Sequence, residues 1–314
     1  MAVTRYFSFG EESTFATAVP ATETIDPESA ELDPTGDQAL IYEGVSRLDR
    51  IVAPGPYRSE GSVTTPVDLK VFPWFFKFAM GGYEVTGNSP SYTHRFFPHT
   101  SALMPSFTSR VGKDVFEHVF PGCVVSSIEM ELDDAFLLGT VEMQAGGDEK
   151  ASIAIPNWTG GEIYAPHQVN AMINGVDESA YIESFSLKLE TGADNEAGMT
   201  IGSRFPRRAF RGAFMVELEL GLSFFSTTQL ERFWGSATGP TSGSLVEFPI
   251  TINVGENMDI IVPRAVFTTM TQPLSGRDRI EQSATVRGLV ASDSTGPIEF
   301  SVTNDVEKYG EPAA

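Results

Sequence analysis

The chain has 314 residues and carries 42 acidic against 21 basic side chains, a net charge of −21. So acidic a surface excludes adhesive binding to nucleic-acid backbone or anionic lipid. With 41% hydrophobic and 11% aromatic residues the composition is globular, 29 Gly and 20 Pro point to many turns and short strands, and the single cysteine, Cys123, excludes an internal disulfide.

Residues 1–40 alternate Glu and Asp with Thr, Ala and Pro and show no amphipathic period, which predicts either disorder or, as favoured here, an extended arm that orders against another surface. They also lack the apolar core of a signal peptide, and the longest apolar run, 71–80, is broken by Pro73 and Lys77, so cytoplasmic synthesis without a membrane span is expected. A first β unit is expected over 41–150. Strands at 41–51 and 57–64 lead to a helix whose start is signalled by Thr65, Pro66 and Asp68, whose regular part begins near Phe72 because of Pro73, and whose stop is Gly81-Gly82. Residues 83–116 are too long for an ordinary connection and predict a projecting hairpin or loop.

Val119 to Leu132 follows as a strand, with Ile128, Met130 and Leu132 alternating against Glu129, Glu131 and Asp133. A degraded copy recurs 142 positions on, where Pro121, Val124, Ser126-Ser127 and Leu132 meet Pro263, Val266, Thr268-Thr269 and Leu274. The echo predicts two related units in tandem. A turn at 133–134, a strand at 136–145 and an irregular linker over 151–178 separate them. The second unit, 179–306, repeats the order: strands at 181–190 and 214–225, a short helix opened by the capping box Thr228-Gln-Leu-Glu231 and stopped by Gly235, and strands at 245–254, 260–271, 284–290 and 298–303. Residues 307–314 form a tail.

No catalytic, cofactor-binding or metal-binding group is expected. His94 and His99 stand five apart, on opposite faces of a strand, and with His118 and His167 are solvated or packed; Cys123 on its apolar strand is a buried, inert thiol. The alternation of Glu129 with Glu131 and of Glu217 with Glu219 marks a solvated sheet face rather than a catalytic pair. Arg204, Arg207, Arg208 and Arg211 form the one basic cluster, which suits either a carboxylate surface on a neighbouring copy or open solvent.

Three stretches carry a resemblance: Gly10-Glu-Glu-Ser-Thr-Phe-Ala-Thr-Ala-Val-Pro20, Phe72-Pro-Trp-Phe-Phe-Lys-Phe78 ahead of Gly81-Gly82, and Pro121-Gly-Cys-Val-Val-Ser-Ser-Ile-Glu-Met130. Residues 10 to about 145 resemble the major tail tube proteins of long, flexible-tailed viruses. The resemblance implies a mainly β fold, read here as two tandem β-sandwich units, each with a flanking α-helix, whose inner sheets join those of neighbours in a closed ring. It implies a structural virion protein and not an enzyme, located in the tail. Its partners would be itself, as trimeric pseudo-hexameric rings or hexamers stacked into a tube, the tape measure, terminator and tip proteins, and viral DNA in transit, with no membrane. Glu129, Glu131, Glu217 and Glu219 are then the candidate channel or solvent-face acids. The Arg204–Arg211 cluster and His94, Arg95, Phe96 and Phe97 are the candidate inter-subunit contacts. The lysine-poor acidity adds an expectation of a haloarchaeal host, because concentrated salt screens self-repulsion. A carbohydrate-binding or adhesive β-sandwich is the alternative.

Overall fold

Apolar side chains at every second position organise most of the chain into strands. A computed structural model describes residues 5–35, 39–42, 45, 51–132, 135–154, 157–240, 243, 245–274, 279–291 and 296–310. The first half contains β1 (Arg5–Glu11), β2 (Glu23–Ile25), β3 (Ser29–Thr35), β4 (Ala39–Tyr42), β5 (Ile51–Pro54), β6 (Arg58–Pro66), α1 (Pro73–Met80), β7 (Gly81–Asn88), β8 (Ser91–Pro98), β9 (Phe107–Lys113), β10 (Glu117–Leu132), β11 (Leu138–Ala145) and β12 (Glu149–Ala151). The second contains β13 (Val169–Ile173), β14 (Val176–Asp177), β15 (Ile182–Glu190), β16 (Met215–Ser223), α2 (Thr228–Trp234), β17 (Phe248–Val254), β18 (Met258–Thr271), β19 (Glu281–Leu289) and β20 (Glu299–Asn304).

Eight of these strands form one continuous antiparallel sheet in the order β3-β6-β11-β10-β15-β16-β19-β18. The long strands β10 and β18 leave it at their N-terminal halves. There β10 joins β2-β1-β9-β10-β12, and β18 joins β14-β13-β17-β18-β20-β8-β7.

The 142-position echo falls on these two branching strands. Register shifts occur in β10 at Phe120/Cys123 and Val125/Ser127, and in β18 opposite Phe248/Ile250, between Val262 and Ala265, and at Phe267/Thr269, each 142 positions later. An irregularity of this kind bends a strand, so both chains of side chains turn from one sheet into the other at matching residues. Around them the pairings recur in order. The partners β1–β2, β1–β9, β9–β10, β10–β12, β10–β11, β11–β6 and β6–β3 correspond to β13–β14, β13–β17, β17–β18, β18–β20, β18–β19, β19–β16 and β16–β15. The hairpins β4–β5 and β7–β8 have no counterpart among the described residues of the second half.

Three stretches depart from the expected organisation. The stretch expected as an arm contributes β1, whose Phe7 and Phe9 are buried against Phe75 of α1; averaging acidity over forty positions hides a seven-residue strand. The expected linker supplies β13, paired to β17 through Ala171 and Ile173. The expected insertion does not project: β9 is a sheet strand between β1 and β10, and β8 docks on β20. The strand expected at 41–51 is only partly within the described residues, and the turn at 133–134 lies outside them.

All eight residues of α1 are buried. Pro73 occupies the first turn, where its missing N–H costs nothing, and Gly81 ends the helix at φ 78° with its N–H bonded to the Lys77 carbonyl. Phe72 reaches β11 only because residue 139 is glycine, since a Cβ there would lie 2.3 Å from the ring. Phe76 stacks on Phe300 of β20 at 4.0 Å between ring centroids. One apolar cluster therefore runs through both halves. The expected tail closes it, with Tyr309 fully buried among Trp74, Tyr83, His94 and Phe96.

Candidate functional site

Residues directly opposite one another in an antiparallel sheet share a face. Across the eight-stranded sheet one row reads Ser29, Thr64, Thr140, Glu129, Lys188, Glu217, Arg287. The row on one side reads Leu138, Glu131, Ser186, Glu219, Thr285, Thr269, and the row on the other Glu31, Ser62, Glu142, Ser127, Glu190. The structure thus brings Glu129, Glu131, Glu217 and Glu219 together on one face. Their neighbours in sequence, Ile128, Met130, Leu218 and Leu220, are buried on the other.

Two cations interrupt this acidic face. Lys188 is 3.1 Å from Glu190, whose hydrogen bond and charge raise the lysine pKa, and Arg287 is 3.7 Å from Glu217. Ser127 and Ser186 donate to Glu142 and Glu129 at 2.8 and 3.2 Å. Glu142 and Glu129 are thereby held as acceptors, on a face that carries more carboxylates than cations.

The sheet ends in two open edges. Among the described residues β3 pairs only with β6, and β18 beyond Ala265 pairs only with β19. Within the chain the halves are joined by β10 against β15, with Glu129 opposite Lys188. A loop contact supports that seam: the Arg204 Nε donates to the Gly55 carbonyl at 2.8 Å, the Tyr57 N–H donates to the Arg204 carbonyl at 2.8 Å, and Arg58 clasps Glu196 through both terminal nitrogens.

The four arginines do not share one partner. Arg204 holds the base of the β4–β5 hairpin, and Arg211 turns inward to donate to the Ala79 carbonyl at the end of α1 at 2.9 Å. Arg207 and Arg208 are exposed. His94 and Phe96, expected at an inter-subunit contact, are fully buried within the chain, because β8 is an interior partner of β20. His94 bridges the Tyr83 hydroxyl and Asn304 at 2.9 and 3.0 Å, and burial lowers its pKa. Arg95 clasps Glu299 at 2.6 and 2.7 Å and lies over the Phe97 ring. Cys123 is buried, with its thiol pushed up to about 12 by burial.

Asp68, which is buried, and Glu23, which is half-buried, form a separate acidic pair. Asp68 Oδ1 accepts the backbone N–H groups of Lys70, Val71 and Gly161 at 2.8, 2.7 and 3.1 Å, yet burial holds its pKa above the ordinary value. Burial also raises the Glu23 pKa, with a further push from the Asp68 charge. A raised carboxyl contributes stability that is complete below its unfolded pKa, near 4, and is lost as pH rises through the folded value. Asp68→Asn keeps the Oδ1 acceptor and removes the charge. Urea titrations at pH 3 and pH 7 are expected to show wild type losing stability relative to this variant at the higher pH, and the opposite trend would contradict the assignment.

No group of three or more His, Cys, Asp or Glu side chains among the described residues is placed to hold a metal, and no helix among them is long and apolar enough to cross a membrane. The chain is mainly β, with a continuous acidic sheet face and, among the described residues, two sheet edges left without a strand partner. The chain belongs to the phage tail tube protein family, whose model matches residues 3–288. That family is structural and not an enzyme family, and it places the chain in the virion tail, assembled with copies of itself into a tube alongside other tail proteins. No curated protein matches the chain.

Proposed function

We propose that the chain is two tandem tail-tube units and that three copies close a ring, stacked rings forming the channel through which viral DNA leaves. The observation that carries this is the seam inside the chain. There, β10 of the first half meets β15 of the second, and the free edges β18 and β3 are their counterparts in the repeated topology. Joining β18 of one copy to β3 of the next repeats a contact the chain already makes, which satisfies both edges and closes on itself.

The register follows from the repeat. β10 carries over to β18 by 142 positions, and β15 carries over to β3 because Phe185 and Ala30 stand opposite Leu220 and Val63 at matching places. Glu129 opposite Lys188 therefore becomes Thr271 opposite Asp33 of the next copy. The Thr191 N–H donates to the Ser126 carbonyl at 3.0 Å, so by alternation the 129–188 pair is one of the closely spaced, non-hydrogen-bonded pairs. Such a pair suits an engineered disulfide. Both Asp33 and Thr271 are exposed in the single chain. The double variant Asp33→Cys/Thr271→Cys is expected to oxidise to a closed covalent trimer on a non-reducing gel, with buried Cys123 silent. A product that stays a single chain while tubes form would contradict this seam.

The acidic face would line the channel. A phosphate polymer must pass without being held, and fixed carboxylates repel it while the paired Lys188 and Arg287 offer little net attraction. The net charge of −21 with few lysines supports a host living in concentrated salt, where such repulsion between copies is screened. The tape measure, terminator and tip proteins would be the neighbouring tail partners.

A further inference from the structure

The two helices occupy matching places in the repeated topology but are covered very differently. In α1 every residue is buried, sealed from outside by β20 and β8 through Phe300 and Phe96 and by Tyr309. In α2 only Gln229 is buried. Its inner side rests on the second half, with Arg232 over the Phe248 ring at 5.6 Å. Phe233 packs against the core, Leu230 and Trp234 are half-buried, and Phe225, three residues ahead of the helix, is 76% exposed.

From this contrast we infer that the outer face of α2 is the docking surface for the first half of a neighbouring copy, which lays its β12 edge over it. The strand that seals α1 is β20, and its counterpart in the first half is β12: β20 pairs with Met258–Ile261 of β18 as β12 pairs with Glu117–Val119 of β10. Inside the chain the second half thus covers the helix of the first. Continuing the same relation, the first half of the next copy covers the helix of the second. The occupant is therefore a second copy of this chain, approaching from the side on which β18 meets β3. The inference rests on the ring proposed above and adds an outer contact to its inner one.

The outer seal between copies is smaller than the one within the chain. β12 has three residues where β20 has six, and the second half has no counterpart among the described residues to the β7–β8 hairpin. Rings should accordingly come apart into whole chains, with the seam inside each chain intact.

Hydroxyl-radical footprinting of single chains and of rings locked by the Asp33→Cys/Thr271→Cys disulfide tests the inference. Phe225 and Trp234 are expected to lose labelling several-fold in the rings, with Trp158, 43% exposed, as the internal reference. Equal labelling of the α2 face in chains and locked rings would overturn the docking surface and leave the ring itself standing. Failure of any ring to form would instead remove the ring, and the docking surface with it. As a second arm, Phe225→Asp is expected to leave the melting of the single chain unchanged and to weaken ring formation at least about tenfold; unchanged ring formation would count against the inference.

Discussion

Tyr309→Ala is expected to destabilise the chain by about 3–5 kcal/mol, the range for removing a large aromatic side chain from a core. The residue lies five positions from the chain end and outside the matched family region, yet it is fully buried. Its ring meets Trp74 and Tyr83 edge-on, and His94 at 4.7 Å. Its hydroxyl donates to the Lys70 carbonyl at 2.9 Å and accepts from Asn304 Nδ2 at 2.6 Å, while its backbone N–H donates to Tyr83. Deletion therefore opens a cavity and leaves polar groups of both halves without partners. Tyr309→Phe keeps the ring and removes only the hydroxyl bonds, so it should cost about 1–3 kcal/mol. Urea unfolding separates the two, and an alanine variant as stable as wild type would show that the C-terminal segment is not part of the core.

The second large effect belongs to Lys77 and Glu11. Lys77 lies on the buried helix α1 with its side chain 5% exposed, and its ammonium meets Glu11 of β1 at 2.5 Å and lies near the Trp74 ring. Removing one member of such a pair strands the other without compensation, so Glu11→Ala is expected to cost about 3 kcal/mol, the lower end of the range for buried pairs because Glu11 keeps some contact with water. Replacing both with apolar residues, Lys77→Met with Glu11→Leu, should recover most of that loss. Thermal melts of the single and double variants test this, and simple additivity of the losses would contradict a coupled pair.

The elements legible in the sequence were those whose local chemistry and burial agreed. The alternation around Ile128 and Met130 marked β10, the glycines at 81 and 235 ended both helices in the left-handed conformation, and the 142-position echo located the two branching strands. The shared face of Glu129, Glu131, Glu217 and Glu219 was legible only as two separate alternations. That they stand in adjoining rows is a matter of β10 pairing with β15, a long-range register that no local pattern encodes. The strand β1 was hidden because its partners, β9 and β2, lie far from it or are very short. Lys77 interrupts an apolar run in the sequence, and a carboxylate brought by β1 makes its burial tolerable. Tyr309 gave no signal at all, since one aromatic in a polar tail acquires its role only from the pocket that both halves build.

In the proposed tube one chain supplies two consecutive positions of a closed wall. Electron cryomicroscopy of tubes assembled in molar salt tests it most directly. Three chains per ring, with β18 of each beside β3 of the next and the face bearing Glu129, Glu131, Glu217 and Glu219 turned to the channel, is the result expected. A ring of six chains, or one with that acidic face turned outward, would contradict it.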